Sequence, residues 1–161
     1  MTMYSYDLEF NTLTKIGTYL RGGTISQKDN LMESREAIYH AEEKDIYFVG
    51  NVVMRNEEYT IESDSMGYNF DTEITKFYKK ANIWNKDGDF LTADKGTYDR
   101  QNDTYVFTQN SYVMTKDQQM WADSITYMKT AGISYLFQDI QIHDEVQLAL
   151  LFGDYGVYWT E

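Results

Sequence analysis

Apolar and polar positions along this chain repeat with a period of about 30 residues, which is the length of one small structural unit. In five segments an apolar residue is followed two positions later by a small residue, and five positions after that by a tyrosine. The tyrosines are Tyr39, Tyr68, Tyr98, Tyr127 and Tyr158, separated by 29, 30, 29 and 31 residues. A fixed period of this kind is typical of a chain that adds one equivalent unit after another.

Each unit divides into two strand-like halves. The first half ends on the tyrosine, and the second carries a phenylalanine at Phe48, Phe77, Phe107 or Phe137. Polar residues that favour tight turns follow each half. The chain is rich in aromatic residues, which fit strands, and contains no proline to interrupt a ladder. We therefore predict an all-β fold with about nine antiparallel strands over residues 31–159, joined by short hairpin loops.

The first 30 residues are less regular than the repeat. Residues 4–10 alternate between apolar and polar side chains, which is typical of a strand with one buried face. Residues 13–20 are predicted to form another strand, ending at Gly22 and Gly23. The chain therefore divides into N-terminal strands at 1–30, which cannot be placed in the repeat, and a repeat region at 31–161.

The small residue and the tyrosine of each unit lie five positions apart, so a straight strand would place them on opposite faces. Both can face one interior only if the strand bends between them. An aspartate column falls in that interval, at Asp64, Asp94, Asp123 and Asp154. Because bulges occur where strands turn a corner, we predict a bend at this column.

Three sets of polar residues were considered as chemical sites. Carboxylates such as the aspartate column can bind calcium, but like charges in a column are also tolerated when they cap turns, and we expect the second role. His40 and His143 lie at strand ends far apart in the sequence, with no cysteine and no recognisable serine nucleophile motif. Asp94, Asp99 and Asp103 are the remaining carboxylates that could serve an enzyme. We expect no catalytic residue, no cofactor and no metal.

Composition narrows the range of partners. The chain has 14 basic and 26 acidic residues and a formal net charge of −12, which repels nucleic acid and anionic membrane surfaces. Without cysteine there can be no disulfide framework or thiolate site. Met1 to Glu9 lack the basic start and apolar run of a secretory signal, so an exported protein would need a signal outside this sequence.

Three stretches carry a family resemblance: Gly50-Asn51-Val52, residues 59–64 followed by Tyr68, and residues 90–99. Over residues 31–159 the chain resembles the OstA-like family of bacterial lipopolysaccharide-transport proteins. The resemblance implies a twisted antiparallel β-jellyroll with an open-edged apolar groove. It also implies a non-catalytic periplasmic carrier that passes lipopolysaccharide to the outer membrane.

The resemblance further implies which residues and partners are involved. The ligand would be lipopolysaccharide, held by the acyl chains of its lipid A part. Other lipopolysaccharide-transport proteins would dock through edge strands, and copies of the chain could associate head to tail. The expected groove residues are Phe48, Phe77, Phe107, Phe137, Ile61, Leu91 and Met120. Arg35 and Phe152-Gly153 depart from the repeated motif and indicate specialised terminal units.

One alternative remains open from the sequence. A closed up-and-down β-barrel that binds another small lipophile would also show a hairpin-length period. Such a barrel has no free edge strands and is expected to stay monomeric, whereas the jellyroll is expected to form head-to-tail species.

Overall fold

The structure, a computed structural model, describes residues 1–160 and consists of sixteen β-strands with no helix in that range. The strands are β1 (Thr2–Ser5), β2 (Glu9–Asn11), β3 (Ile16–Tyr19), β4 (Gly23–Gln27), β5 (Asn30–Ser34), β6 (Glu36–His40), β7 (Asp45–Arg55), β8 (Tyr59–Asn69), β9 (Ile74–Phe77), β10 (Ala81–Asn85), β11 (Phe90–Ala93), β12 (Lys95–Asp99), β13 (Thr104–Met114), β14 (Gln118–Met128), β15 (Ile133–Asp144) and β16 (Ala149–Trp159). All pair antiparallel in one sheet, which confirms the predicted all-β fold. Nothing in residues 1–160 forms a helix able to cross a membrane.

The sheet is folded into two leaves that face each other across one core. The first leaf runs through β1, β4, β5, β10 and β11, and the second leaf runs through β2, β3, β6, β9 and β12. Six long strands, β7, β8 and β13 to β16, contribute one half to each leaf. The buried side chains of both leaves form a single hydrophobic cluster. The predicted nine strands are thus present, but some are divided where they pass from one leaf to the other.

The passage between leaves occurs at the aspartate column, which confirms the predicted bend. Strands β11 and β12 are separated at Asp94, and β5 and β6 at Arg35, which occupies the same column in the first unit. Opposite Asp64, Asp123 and Asp154 the pairing register shifts instead. On either side of the bend the interior positions change parity, so the small residues and the tyrosines reach the same core.

Two consecutive residues with positive φ form the bend on the partner strands. They are Gly50-Asn51 (80° and 51°), Gln109-Asn110 (65° and 53°) and Gln138-Asp139 (58° and 54°). Left-handed backbone is uncommon for residues other than glycine, so its recurrence here marks a specified feature. The backbone amide of Arg35 donates to the Gly50 carbonyl (2.8 Å), and that of Asp94 donates to the Gln109 carbonyl (2.9 Å). The bend is therefore fixed by backbone hydrogen bonds.

On the first leaf one apolar column crosses all the strands. Neighbouring members are paired directly across adjacent strands. The column consists of Met3, Ile25, Met32, Met54, Ile61, Ile83, Leu91, Val113, Met120, Ile142 and Leu151. From Ile25 to Met120 every member is fully buried.

The second leaf carries the facing column, and here the predicted phenylalanine alignment needs a correction. The paired residues are Tyr19, Ala37, Phe48, Met66, Phe77, Gly96, Phe107, Ile125, Leu136 and Gly156. Leu136 takes the place predicted for Phe137. Because adjacent strand residues point to opposite faces, Phe137 turns outward, where it is 47% exposed and packs on Tyr155.

The N-terminal 30 residues continue the same two leaves. Strand β3 pairs with β6 and β4 pairs with β5, so residues 16–27 add one more rung to the stack. The buried face predicted for residues 4–10 is wrong, because the apolar side chains there are exposed. They lie at the end of the stack, where no further strand covers them.

The closed-barrel alternative is wrong for the part of the chain that the structure describes. Strand β1 pairs only with β4, β2 only with β3, and β16 only with β15. The stack therefore has a free edge at each end, as an open jellyroll requires.

Replacing Gly96 by alanine is expected to destabilise the protein by about 1 to 3 kcal/mol. A Cβ atom at Gly96 would lie 2.3 Å from the Val106 carbonyl oxygen and 2.9 Å from Cδ1 of Phe107, so the strand pair must shift. Urea unfolding measures the change. The matched control is Gly153→Ala, whose Cβ would lie 3.8 Å from its nearest neighbour, and whose effect is expected within about 0.5 kcal/mol. Equal effects of the two would contradict the close approach of β12 and β13.

A pair of truncations tests the corrected column. Phe107→Ala is expected to cost about 3 to 5 kcal/mol of unfolding free energy because the ring is buried in the core. Phe137→Ala is expected to cost about 1 kcal/mol or less, since the ring is half exposed. If thermal or urea unfolding ranks the two the other way round, the register of the last unit is wrong.

Candidate functional site

The predicted groove residues meet in the interior between the two leaves, with one exception. Ile61, Leu91 and Met120 project from the first leaf. Phe48, Phe77 and Phe107 project from the second. These six side chains belong to one buried cluster and are at most 3% exposed. Phe137 lies on the outer surface and does not contribute to this interior.

The interior narrows toward the bends, where small side chains line both leaves. Ser34, Ser63, Ala93 and Ala122 occupy the first-leaf positions nearest the bends, and all are buried. The Ser34 hydroxyl satisfies its hydrogen-bonding capacity inside the core, with the Tyr19 hydroxyl at 2.7 Å. The cross-section is therefore a wedge with its thin edge at the bends and its broad edge at the hairpin loops.

A layer of tyrosines lines the broad edge. The Tyr59 ring from the first leaf meets the edge of Tyr98 on the second, with centroids 5.3 Å apart. Tyr98 stacks on Tyr105 at 4.2 Å, and Tyr105 stacks on Tyr127 at 6.0 Å. Burial raises the pKa of Tyr59 to about 12 and raises the pKa of Tyr98 and Tyr105 as well. These hydroxyls therefore remain neutral at physiological pH.

Outside the tyrosines, ion pairs join the loops of the two leaves. We call this set the seam: Lys28, Asp29, Asp87 and Asp89 from the first leaf, and Glu73, Arg100 and Lys129 from the second. Lys28 pairs with Glu73. The Arg100 guanidinium donates to both oxygens of Asp29, at 2.9 and 2.6 Å.

Lys129 completes the seam toward the C-terminal units. Its ammonium group donates to Asp87 at 2.5 Å and lies 3.4 Å from Asp89. The Arg100 guanidinium also lies 5.9 Å from the centre of the Tyr59 ring, a cation–π distance. The seam therefore closes the broad edge of the wedge.

The seam carboxylates are expected to favour the closed arrangement at neutral pH. The hydrogen bond from Arg100 holds the pKa of Asp29 below its usual value of 3.8, and that from Lys129 does the same to the pKa of Asp87. A carboxyl group with a lowered folded-state pKa stabilises the fold above its unfolded pKa and loses that contribution as the pH falls through the folded value. The seam contacts therefore weaken only in strong acid.

Both ends of the stack expose apolar side chains. Edge strand β16 shows Leu150, Leu151, Phe152, Tyr155 and Trp159 to solvent. A cavity of about 520 Å³ opens beside it, lined in part by Leu151 and Tyr158. The opposite end exposes the apolar side chains of residues 4–13. Water thus meets apolar surface at the two ends of the interior.

The carboxylates considered for catalysis are held in separate local contacts. Asp94 accepts a hydrogen bond from Asn110 at the bend (2.6 Å), whereas Asp99 accepts two from Asn102 in a hairpin loop. Within residues 1–160 no group of three or more histidine, aspartate or glutamate side chains is arranged to hold a metal ion. The aspartate column serves the bends.

The sequence gives no signal for the seam. Its partners are separated by 45, 71 and 42 residues and lie in loops of opposite leaves, so no local spacing connects them. The leaves had to be folded over one another before these loops could be paired. The interior columns, by contrast, follow the repeat directly.

Comparison with known proteins agrees with this architecture. The family profile described as "OstA-like protein" matches residues 1–64, which includes the N-terminal strands. No curated protein sequence matches the chain. The crystal structure of LptH from Pseudomonas aeruginosa, described as the LptA homologous periplasmic component of the lipopolysaccharide transport device, superposes with a TM-score of 0.55.

The structural match extends over most of both molecules. It covers 82% of this chain and 95% of LptH, at 9% sequence identity. Identity this low supports the fold and says nothing about individual residues. The resemblance seen in the repeats is confirmed: the chain is OstA-like in sequence over residues 1–64 and has the β-jellyroll fold of LptH over most of its length.

Proposed function

We propose that the protein is a non-catalytic carrier that binds the acyl chains of lipopolysaccharide between its leaves and passes them across the periplasm to the outer membrane. The observation that carries this function is the apolar interior, which is continuous through every rung from Ile25 to Ile142. The OstA-like profile match and the fold shared with periplasmic LptH supply the ligand class and the compartment.

The interior has the chemistry that acyl chains require. Burial of each methylene group contributes about 0.8 kcal/mol, so several chains bind strongly without any polar contact. The proposed contact residues are Phe48, Phe77, Phe107, Ile61, Leu91 and Met120. A headgroup would remain outside the wedge, since the side chains between the leaves are apolar or neutral up to the tyrosine layer.

The free edges supply the proposed route between molecules. Strand β16 has eleven residues and pairs on one side only, and it carries exposed aromatic side chains. An unpaired strand of this length favours strand addition by a partner. We propose that β16 docks on the β1 and β2 end of another copy or of another lipopolysaccharide-transport protein, which joins their interiors end to end.

Site-specific photo-crosslinking tests the binding interior. Phe107 and Phe137 are each replaced by p-benzoylphenylalanine, which keeps an aromatic ring at both positions, and the variants are irradiated with purified lipopolysaccharide. The Phe107 variant is expected to form a covalent adduct because this side chain faces the interior, and the Phe137 variant is expected to form little because it faces outward.

Circular dichroism checks that both variants remain folded, and Leu91 provides a second interior position if the larger ring is not tolerated at Phe107. Lipopolysaccharide adducts that are absent from Phe107 and Leu91 in folded protein would contradict binding between the leaves.

Charge introduced on the edge strand tests the docking proposal. Phe152→Lys combined with Tyr155→Lys is expected to reduce concentration-dependent association, because charged residues on an edge strand oppose strand addition. Sedimentation velocity measures the oligomers. Trp84→Lys is the control, since this exposed ring lies on a leaf surface away from the free edges. Association that survives the edge substitutions but is lost with Trp84→Lys would place the contact on the leaf surface.

A further inference from the structure

The interior is filled by the protein's own side chains, so a bound acyl chain needs the leaves to move apart. The six proposed contact residues are at most 3% exposed, and the fully buried side chains include Phe48, Phe107 and Met54. Close-packed cores of this kind leave little free volume. A question about access therefore follows from the carrier function proposed above: on which side do the leaves separate?

The bends cannot provide the opening. Six long strands run through them from one leaf into the other, and Arg35 and Asp94 are tied there by backbone hydrogen bonds. Separation at this side would break covalently continuous strands and their ladders. The bends therefore act as the fixed side of the wedge.

The hairpin-loop side is held differently. The contacts that join the leaves there are mainly side-chain contacts: the seam ion pairs, the Tyr59–Tyr98 ring contact, and the hydrogen bond from Tyr158 to Asp144. Ion pairs with this much solvent exposure each contribute only about 0 to 1 kcal/mol. The seam can therefore separate while the strand ladders of each leaf remain intact.

The packing at this side is already interrupted. A cavity of about 230 Å³ lies at the seam, lined by Tyr59, Tyr98 and Tyr105 together with Arg100 and Lys129. The tyrosine rings stand between this cavity and the apolar interior. Entry by an acyl chain would require the seam ion pairs to break and these rings to move.

We propose that the seam is a lateral gate: acyl chains enter the interior between the loops of the two leaves when the Asp29–Arg100 and Asp87–Lys129 pairs separate, and the re-formed pairs retain the bound ligand. This inference rests on the carrier function and adds the route of entry and the residues that control it.

Crosslinking across the seam tests the gate. The chain has no cysteine, so Asp29→Cys with Arg100→Cys introduces the only two thiols. A bismaleimide with a reducible spacer joins them in the folded protein. The matched control is Glu58→Cys with Lys86→Cys, which replaces an ion pair of 2.6 Å between neighbouring loops of the same leaf. Native mass spectrometry with purified lipopolysaccharide measures the bound fraction.

Joining Asp29→Cys to Arg100→Cys is expected to reduce lipopolysaccharide binding by about tenfold or more, and cleavage of the spacer is expected to restore it. The crosslinked control is expected to bind as the uncrosslinked protein does. Protein loaded with lipopolysaccharide before crosslinking is expected to retain it, which shows that the lock blocks passage and leaves the interior intact.

Two other results have separate meanings. If the crosslinked seam variant binds lipopolysaccharide as fast and as fully as before, entry is through an end of the stack and the gate is refuted. If the unmodified protein does not bind lipopolysaccharide at all, the carrier function fails, and the gate fails with it.

Discussion

The architecture depends on one constraint: a strand places alternate side chains on opposite faces, yet both halves of each long strand must bury their apolar residues in one core. The paired left-handed residues, such as Gly50-Asn51 and Gln109-Asn110, satisfy that constraint by changing the parity at the bend. Because the bend recurs at the same place in successive units, the strands turn together and the two leaves form. The continuous interior follows from this repeated change in backbone direction.

Much of this arrangement could be predicted from the sequence because it is periodic. The spacing of tyrosines and small residues predicted both the strands and the bend at the aspartate column. The alignment failed at Phe137, since the last unit is one residue out of step and an equally apolar Leu136 stands next to it. A one-residue shift reverses the face of a side chain, and the identity of the residue alone could not reveal it.

Other features were beyond sequence reasoning because they depend on how the leaves are placed. Alternation in residues 4–10 predicted a buried face, but burial requires a covering strand, and these residues lie at the end of the stack. The Asp29–Arg100 pair joins residues 71 positions apart, in loops that carry ordinary polar turn residues. Composition made such loops look only solvated. The structure thus has a fixed side that the sequence specifies strongly and a separable side that it specifies weakly.

The repeated bend also sets how the molecule can vary in length. Each unit contributes two strands spaced about 4.8 Å apart, so one more unit would extend the apolar channel by about 10 Å and leave its cross-section unchanged. A gain or loss of whole units preserves every residue's inward or outward orientation, whereas a single-residue insertion within a strand reverses it for that strand. The fold therefore works as a ruler that is graduated in whole repeats, and the distance spanned depends on how many the chain contains.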